Sequence, residues 1–107
     1  MLNPHDAYRR HKDTGATRIE VLLALYDGAI SRLESARDAM ARRDPSAAAP
    51  ALLRAQRIVL ELLAGLDLSY GEVPQNLQRL YTFVLRSIGA GSSDQLTAGL
   101  AVLHTLR

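Results

Sequence analysis

The chain has 107 residues and a mass of 11.7 kDa, one domain's worth of protein, and its 48% hydrophobic and 22% charged residues match a packed globular fold. Cysteine is absent, which excludes disulfides, thiolate metal sites and thiol nucleophiles. Thirteen basic residues, twelve of them arginine, face eleven acidic ones, and a net charge of +2 is too small to point to nucleic acid.

Residues 1–16 are polar and mixed in charge and are expected to form an extended or partly ordered arm. From residue 17 the apolar positions recur with a helical period. Ile19, Leu23, Tyr26, Ile30, Leu33, Ala36 and Met40 are spaced by threes and fours, which predicts a helix over about 17–43. Thr17 with Glu20 three residues on has the pattern of a capping box, so these two are expected to open the helix. Arg42-Arg43-Asp44-Pro45 should stop it.

The second stripe, Leu52, Ala55, Val59, Leu62 and Leu66, predicts a helix over about 50–69 with Pro50 in its first turn, where a missing N–H does no harm. After Gly71 and Pro74, the stripe Leu77, Leu80, Tyr81, Val84, Leu85 and Ile88 predicts a third helix over 74–88, ended by Gly89-Ala90-Gly91. Ser92 with Gln95 opens a fourth over 93–107, carried by Leu96, Leu100, Leu103 and Leu106. No segment alternates with period two. Four helices with short connections imply an all-α, antiparallel four-helix bundle preceded by the arm.

Two helices are more apolar than one buried stripe requires. Val21 through Tyr26 is apolar all round, so Leu22 and Leu25 flank the core stripe. Leu53, Leu60 and Leu63 form a second stripe beside the first on helix two. These sides either pack on neighbouring helices or form a groove for a partner helix or peptide, which the arm could cover when empty. Tyr26 and Tyr81 lie on apolar stripes; each is either a core tyrosine whose hydroxyl reaches a polar atom or a partner contact. Gly28, after Asp27 in mid-helix, sacrifices about 1 kcal/mol of propensity and suggests close approach of another backbone.

Catalytic and metal-binding patterns are missing. His5, His11 and His104 lack ligand-type partners at helical spacing, and Glu20, Glu34, Glu61 and Glu72 form no Glu-x-x-His pair. Nucleotide loops and nucleophile elbows are absent too, so no enzyme, cofactor or small-molecule substrate is expected. The longest apolar run has six residues, against about 20 for a membrane span, and no export signal opens the chain. A cytoplasmic protein without a membrane partner is expected.

Asn3-Pro4 through Ala7-Tyr8, Leu25-Tyr26-Asp27-Gly28-Ala29-Ile30, Leu53-Arg54-Ala55-Gln56-Arg57-Ile58-Val59, Glu61-Leu62, Leu66-Asp67, Asn76-Leu77 and Leu80-Tyr81 follow one another in order along nearly the whole chain. In this series the chain resembles the flagellar export chaperone family FliS. The resemblance implies a cytoplasmic four-helix bundle that binds the disordered C-terminal segment of flagellin in apolar grooves. Binding of that kind prevents premature polymerisation and keeps flagellin competent for export. It also implies that Tyr8 belongs to the arm and that Tyr26, Asp27, Asn76 and Tyr81 are motif positions. Asp13 and Gly15-Ala16-Thr17-Arg18 depart from the family's usual helix start, and Ala24 stands where methionine is common. The expected partner-binding set is Tyr8, Leu22, Leu25, Tyr26, Ala29, Leu53, Leu60, Leu63, Asn76 and Tyr81; Thr17, Glu20, Asp27 and Gly28 are expected to be structural. The alternative is a structural bundle that uses the same apolar face for a homodimer or for docking to a larger complex.

Overall fold

Turn chemistry cuts the chain into four helices and fixes how each meets the next. The computed structural model describes residues 15–107: α1 (Gly15–Ala41), α2 (Pro45–Ala64), α3 (Glu72–Ala90) and α4 (Ser93–Leu106), with a 3₁₀ turn at Leu68–Tyr70. The end of α1 and the start of α2 share three residues. Arg43 takes the left-handed conformation (φ 57°), so its N–H reaches the Met40 carbonyl and that of Asp44 the Ala39 carbonyl. These two bonds form the Schellman pattern that satisfies the open carbonyls of a helix end. Asp44 then caps α2, its Oδ1 accepting from the Ala47 N–H at 3.2 Å, with Pro45 as the first helical residue. Gly91, left-handed, closes α3, and the Ser92 hydroxyl caps α4 by accepting from the Gln95 N–H.

Each helix packs on its neighbours in sequence, and α4 returns to α1, which closes a ring of antiparallel helices. Two places show how closely the helices approach. A Cβ on Gly28 would lie 3.2 Å from Ile58 Cδ1, so the glycine admits a side chain of α2, not the backbone expected from sequence. A Cβ on Gly99 would lie 3.2 Å from Ser87 Cβ, which sets the α3–α4 contact. The core joins Tyr26, Ile30 and Leu33 of α1, Ala55, Val59 and Leu62 of α2, Tyr81, Val84 and Ile88 of α3, and Leu96, Leu100 and Leu103 of α4.

Three expectations need correction. Thr17 and Glu20 do not open α1, because Gly15 and Ala16 are already helical and Thr17 therefore lies inside the helix, where an N-cap's extended backbone is unavailable. Pro50 is not in the first turn of α2. Asp44-Pro45 supplies a better start five residues earlier, and Pro50 becomes an interior, exposed proline. Ile19 and Leu80, both on predicted core stripes, are 61% and 36% exposed. The remaining arm, with Tyr8, lies outside the described residues.

Pro50 lacks the N–H that would bond to the Ser46 carbonyl, and its ring crowds that carbonyl. Pro50→Ala should therefore raise stability by about 1–2 kcal/mol, since the restored bond outweighs the proline's restriction of the unfolded chain. Urea denaturation followed by circular dichroism measures it, and an unchanged or lower midpoint would contradict the assignment.

An apolar cleft as the candidate functional site

Helix lengths decide where the core ends. At 1.5 Å per residue, the 27 residues of α1 span about 40 Å and the 14 residues of α4 about 21 Å. The register of the two is set by Arg37, whose guanidinium approaches the Thr97 hydroxyl at 3.5 Å, and by Arg107, which holds Asp27 through two hydrogen bonds. Thus the described part of α4 lies beside α1 from about residue 27 onward. Among the residues whose burial is described, the first buried one of α1 is Tyr26, the last of α2 is Leu62, and the first of α3 is Tyr81.

At this end a cleft of about 540 Å³ lies among α1, the end of α2 and α3, lined by Val21, Leu22 and Leu25 of α1, Leu62 of α2 with Leu66 just beyond it, and Leu77 and Tyr81 of α3; Arg18 and Glu61 are its charged groups. Among the described residues, six of the nine exposed large apolar side chains (Ile19, Leu22, Leu68, Tyr70, Val73 and Leu80) belong to the helix and turn segments toward this end. Among the described residues no group of three or more His, Asp or Glu is placed to hold a metal, and no helix is long and apolar enough to cross a membrane.

The level at which α4 stops is closed by two polar contacts. Tyr26 and Tyr81 share a hydroxyl–hydroxyl hydrogen bond of 2.5 Å, with ring centroids 6.3 Å apart. The bond spans the bundle between α1 and α3, which are not neighbours in the ring. Burial, reinforced by the bond to Tyr26, pushes the Tyr81 phenol well above its usual range. Next to Tyr26 in sequence, Asp27 is held below the ordinary carboxylate range, chiefly by its hydrogen bond from Arg107.

These contacts sort the expected site residues. Leu22, Leu25 and Tyr81 line the cleft. Ala29 and Tyr26, at 0% and 4% exposure, are core residues, and neither offers a surface to a partner; they lie at or below the level where all four helices meet. Leu53 and Leu60 are exposed on another side of α2, outside the cleft, and Asn76 is exposed near the start of α3. Leu63 is partly buried against the core. Leu62, on a predicted core stripe, is a core residue that also borders the cleft, and Leu66 and Leu77, on predicted core stripes too, pack against the core while lining the cleft.

The family described as flagellar protein FliS matches residues 1–106 of the chain. No curated protein and no solved structure matches it.

Tyr81 supplies a pH test. The folded state holds the phenol neutral where the unfolded chain ionises it near pH 10, so the stability it contributes is complete below pH 10 and is lost as pH rises further. Wild-type stability should fall by up to about 1.4 kcal/mol per pH unit above pH 10 on this account. Tyr81→Phe should flatten that slope in urea titrations from pH 8 to 11.5, although it leaves Tyr26 without its partner; an unchanged slope would show that Tyr81 is not the group responsible.

Proposed function

The chain belongs to the flagellar protein FliS family, and on that premise we propose that it is a flagellin export chaperone whose apolar cleft holds the C-terminal segment of its client. One observation carries this reading: the first turns of α1, the end of α2 and α3 enclose a cleft of about 540 Å³ lined chiefly by leucines, among them Leu22, Leu25, Leu66 and Leu77. An apolar stretch of the client would cover Leu22, Leu25 and Leu77 there. A disordered segment gains this apolar burial only by folding, so capture and ordering are one event. While the segment is held it is unavailable for contacts between flagellin molecules, which accounts for both halves of the chaperone's task.

The stripe of Leu53 and Leu60 on α2 offers a separate contact for a client long enough to leave the cleft and pass around the bundle. Leu63, between that stripe and the core, adds to it at its inner edge. Asn76, exposed on the third helix next to the cleft residue Leu77 in sequence, would hydrogen-bond an extended part of the client.

Calorimetry with the last ~50 residues of the same organism's flagellin tests the proposal. Wild-type protein should bind saturably with a negative heat-capacity change. Leu22→Asp buries an uncompensated carboxylate and should weaken binding at least about 30-fold, while Leu60→Asp should weaken it several-fold at most. Binding that ignores Leu22→Asp would remove the cleft from the mechanism. Absence of binding by wild-type protein, with sedimentation showing a stable dimer, would favour the structural-module reading.

A further inference from the structure

Among the described residues that line the apolar cleft, Glu61 is the single acid. It is exposed and is in no ion pair among the described residues. Its level in the bundle follows from the contact of Gly28 with Ile58. Antiparallel helices run past each other residue for residue, so Glu61, three residues after Ile58, stands about level with Leu25, three residues before Gly28. Arg18, the other charged group of the cleft, lies about 10 Å farther along α1, seven residues before Leu25. The place of Glu61 on its own helix adds to its charge. It sits in the last turn of α2, which holds no basic residue. The open carbonyls of a helix end carry partial negative charge, which a carboxylate reinforces and a cation offsets. That helix end borders the cleft as well, through Leu62, Ala64 and Gly65. Arg57, one turn earlier on α2, is neither paired with Glu61 nor part of the cleft wall. Carboxylate and helix end therefore place negative charge at one point of an otherwise leucine-rich surface.

We propose that the segment received by the cleft carries an arginine or lysine that pairs with Glu61 at the end of α2, and that this pair sets the register in which the segment binds. The inference rests on the cleft being the client site and specifies the chemistry of its occupant: an apolar stretch with a basic residue beside the side chains that cover Leu25 and Leu62. An exposed pair of this kind adds little affinity, but it rejects a segment that places an acidic residue there or binds out of step. The leucines supply the attraction, and the carboxylate selects among positions that the leucines alone would accept equally.

The test is calorimetry of the full chain with the same flagellin segment, using Glu61→Arg and, as a control of equal charge change, Glu34→Arg, an exposed position of α1 outside the cleft. At about 50 mM salt Glu61→Arg should weaken binding about five-fold, and the difference should shrink below about two-fold near 500 mM, where screening is short-ranged. Glu34→Arg should change affinity less than about two-fold at either salt. Replacing the client's basic residues by glutamate one at a time should restore binding to Glu61→Arg at a single position. Equal losses from the two protein variants, or no restoring position, would overturn the pairing even where Leu22→Asp still weakens binding. Failure of the wild-type protein to bind the segment would overturn the pairing and the client site together. Should Glu61→Arg lose helicity by circular dichroism, Glu61→Gln replaces it, with an expected loss of about two-fold that vanishes when the paired client residue is itself made glutamine. Free Glu61→Gln should keep or raise its urea midpoint, since it removes a carboxylate from the negative end of a helix. A lowered midpoint would assign Glu61 to the fold and overturn the pairing.

Discussion

The described part of α4 lies beside α1 from about Asp27 onward, and the burial of the described residues follows that overlap. Where all four helices run together the core is closed, with Leu33, Val59, Val84, Leu96 and Leu103 essentially without solvent contact. Toward the start of α1, the described residues leave a cleft among α1, the end of α2 and α3. Ile19 and Tyr26 lie on one stripe of α1, yet one is 61% exposed and the other 4%. Their chemistry and periodicity do not distinguish them; the presence or absence of a neighbour does.

The boundary between the closed and open halves is where the polar groups of the core are found. Tyrosine is suited to such a level, since its ring packs with the apolar layer below while its hydroxyl needs one partner. Tyr26 and Tyr81 satisfy each other across the ring, so no buried polar side chain of the described residues is left without a hydrogen bond. Beside them the Asp27–Arg107 pair ties the end of α4 to α1. Both its side chains are about half exposed, so the pair contributes register more than stability. The two contacts lie side by side at Tyr26 and Asp27, the residues of the Leu-Tyr-Asp-Gly-Ala motif, so that motif marks where the bundle stops being closed.

The same division explains how a small bundle keeps an apolar surface in water. A disordered partner folds against such a surface only if the site is already formed, because the partner alone then bears the ordering entropy. Here Leu62 lies on α2 and Leu66 just beyond it, both packed on the core, and Leu77 and Tyr81 begin a helix whose later turns are buried. The cleft walls are therefore held by packing within the bundle.

The sequence by itself determined the number of helices, their order and most of their core. Periodicity found Leu33, Val59, Val84 and Leu100, and the local chemistry of Ser92 and of the Asp44-Pro45 turn fixed where the chain changes direction, because capping and hydrophobic spacing act within a few residues. It also held the family resemblance. Tertiary structure decided the rest. Whether Ala29 meets a partner or the core, whether Ile19 is covered, and whether Leu77 is interior or lines the cleft all depend on which helix lies opposite each turn. Periodicity tells which side of a helix is apolar; only the register between distant helices tells which turns of that side have a neighbour. Gly28 has the same cause: its small size answers Ile58, thirty residues away in sequence, and nothing within its own helix announces that contact.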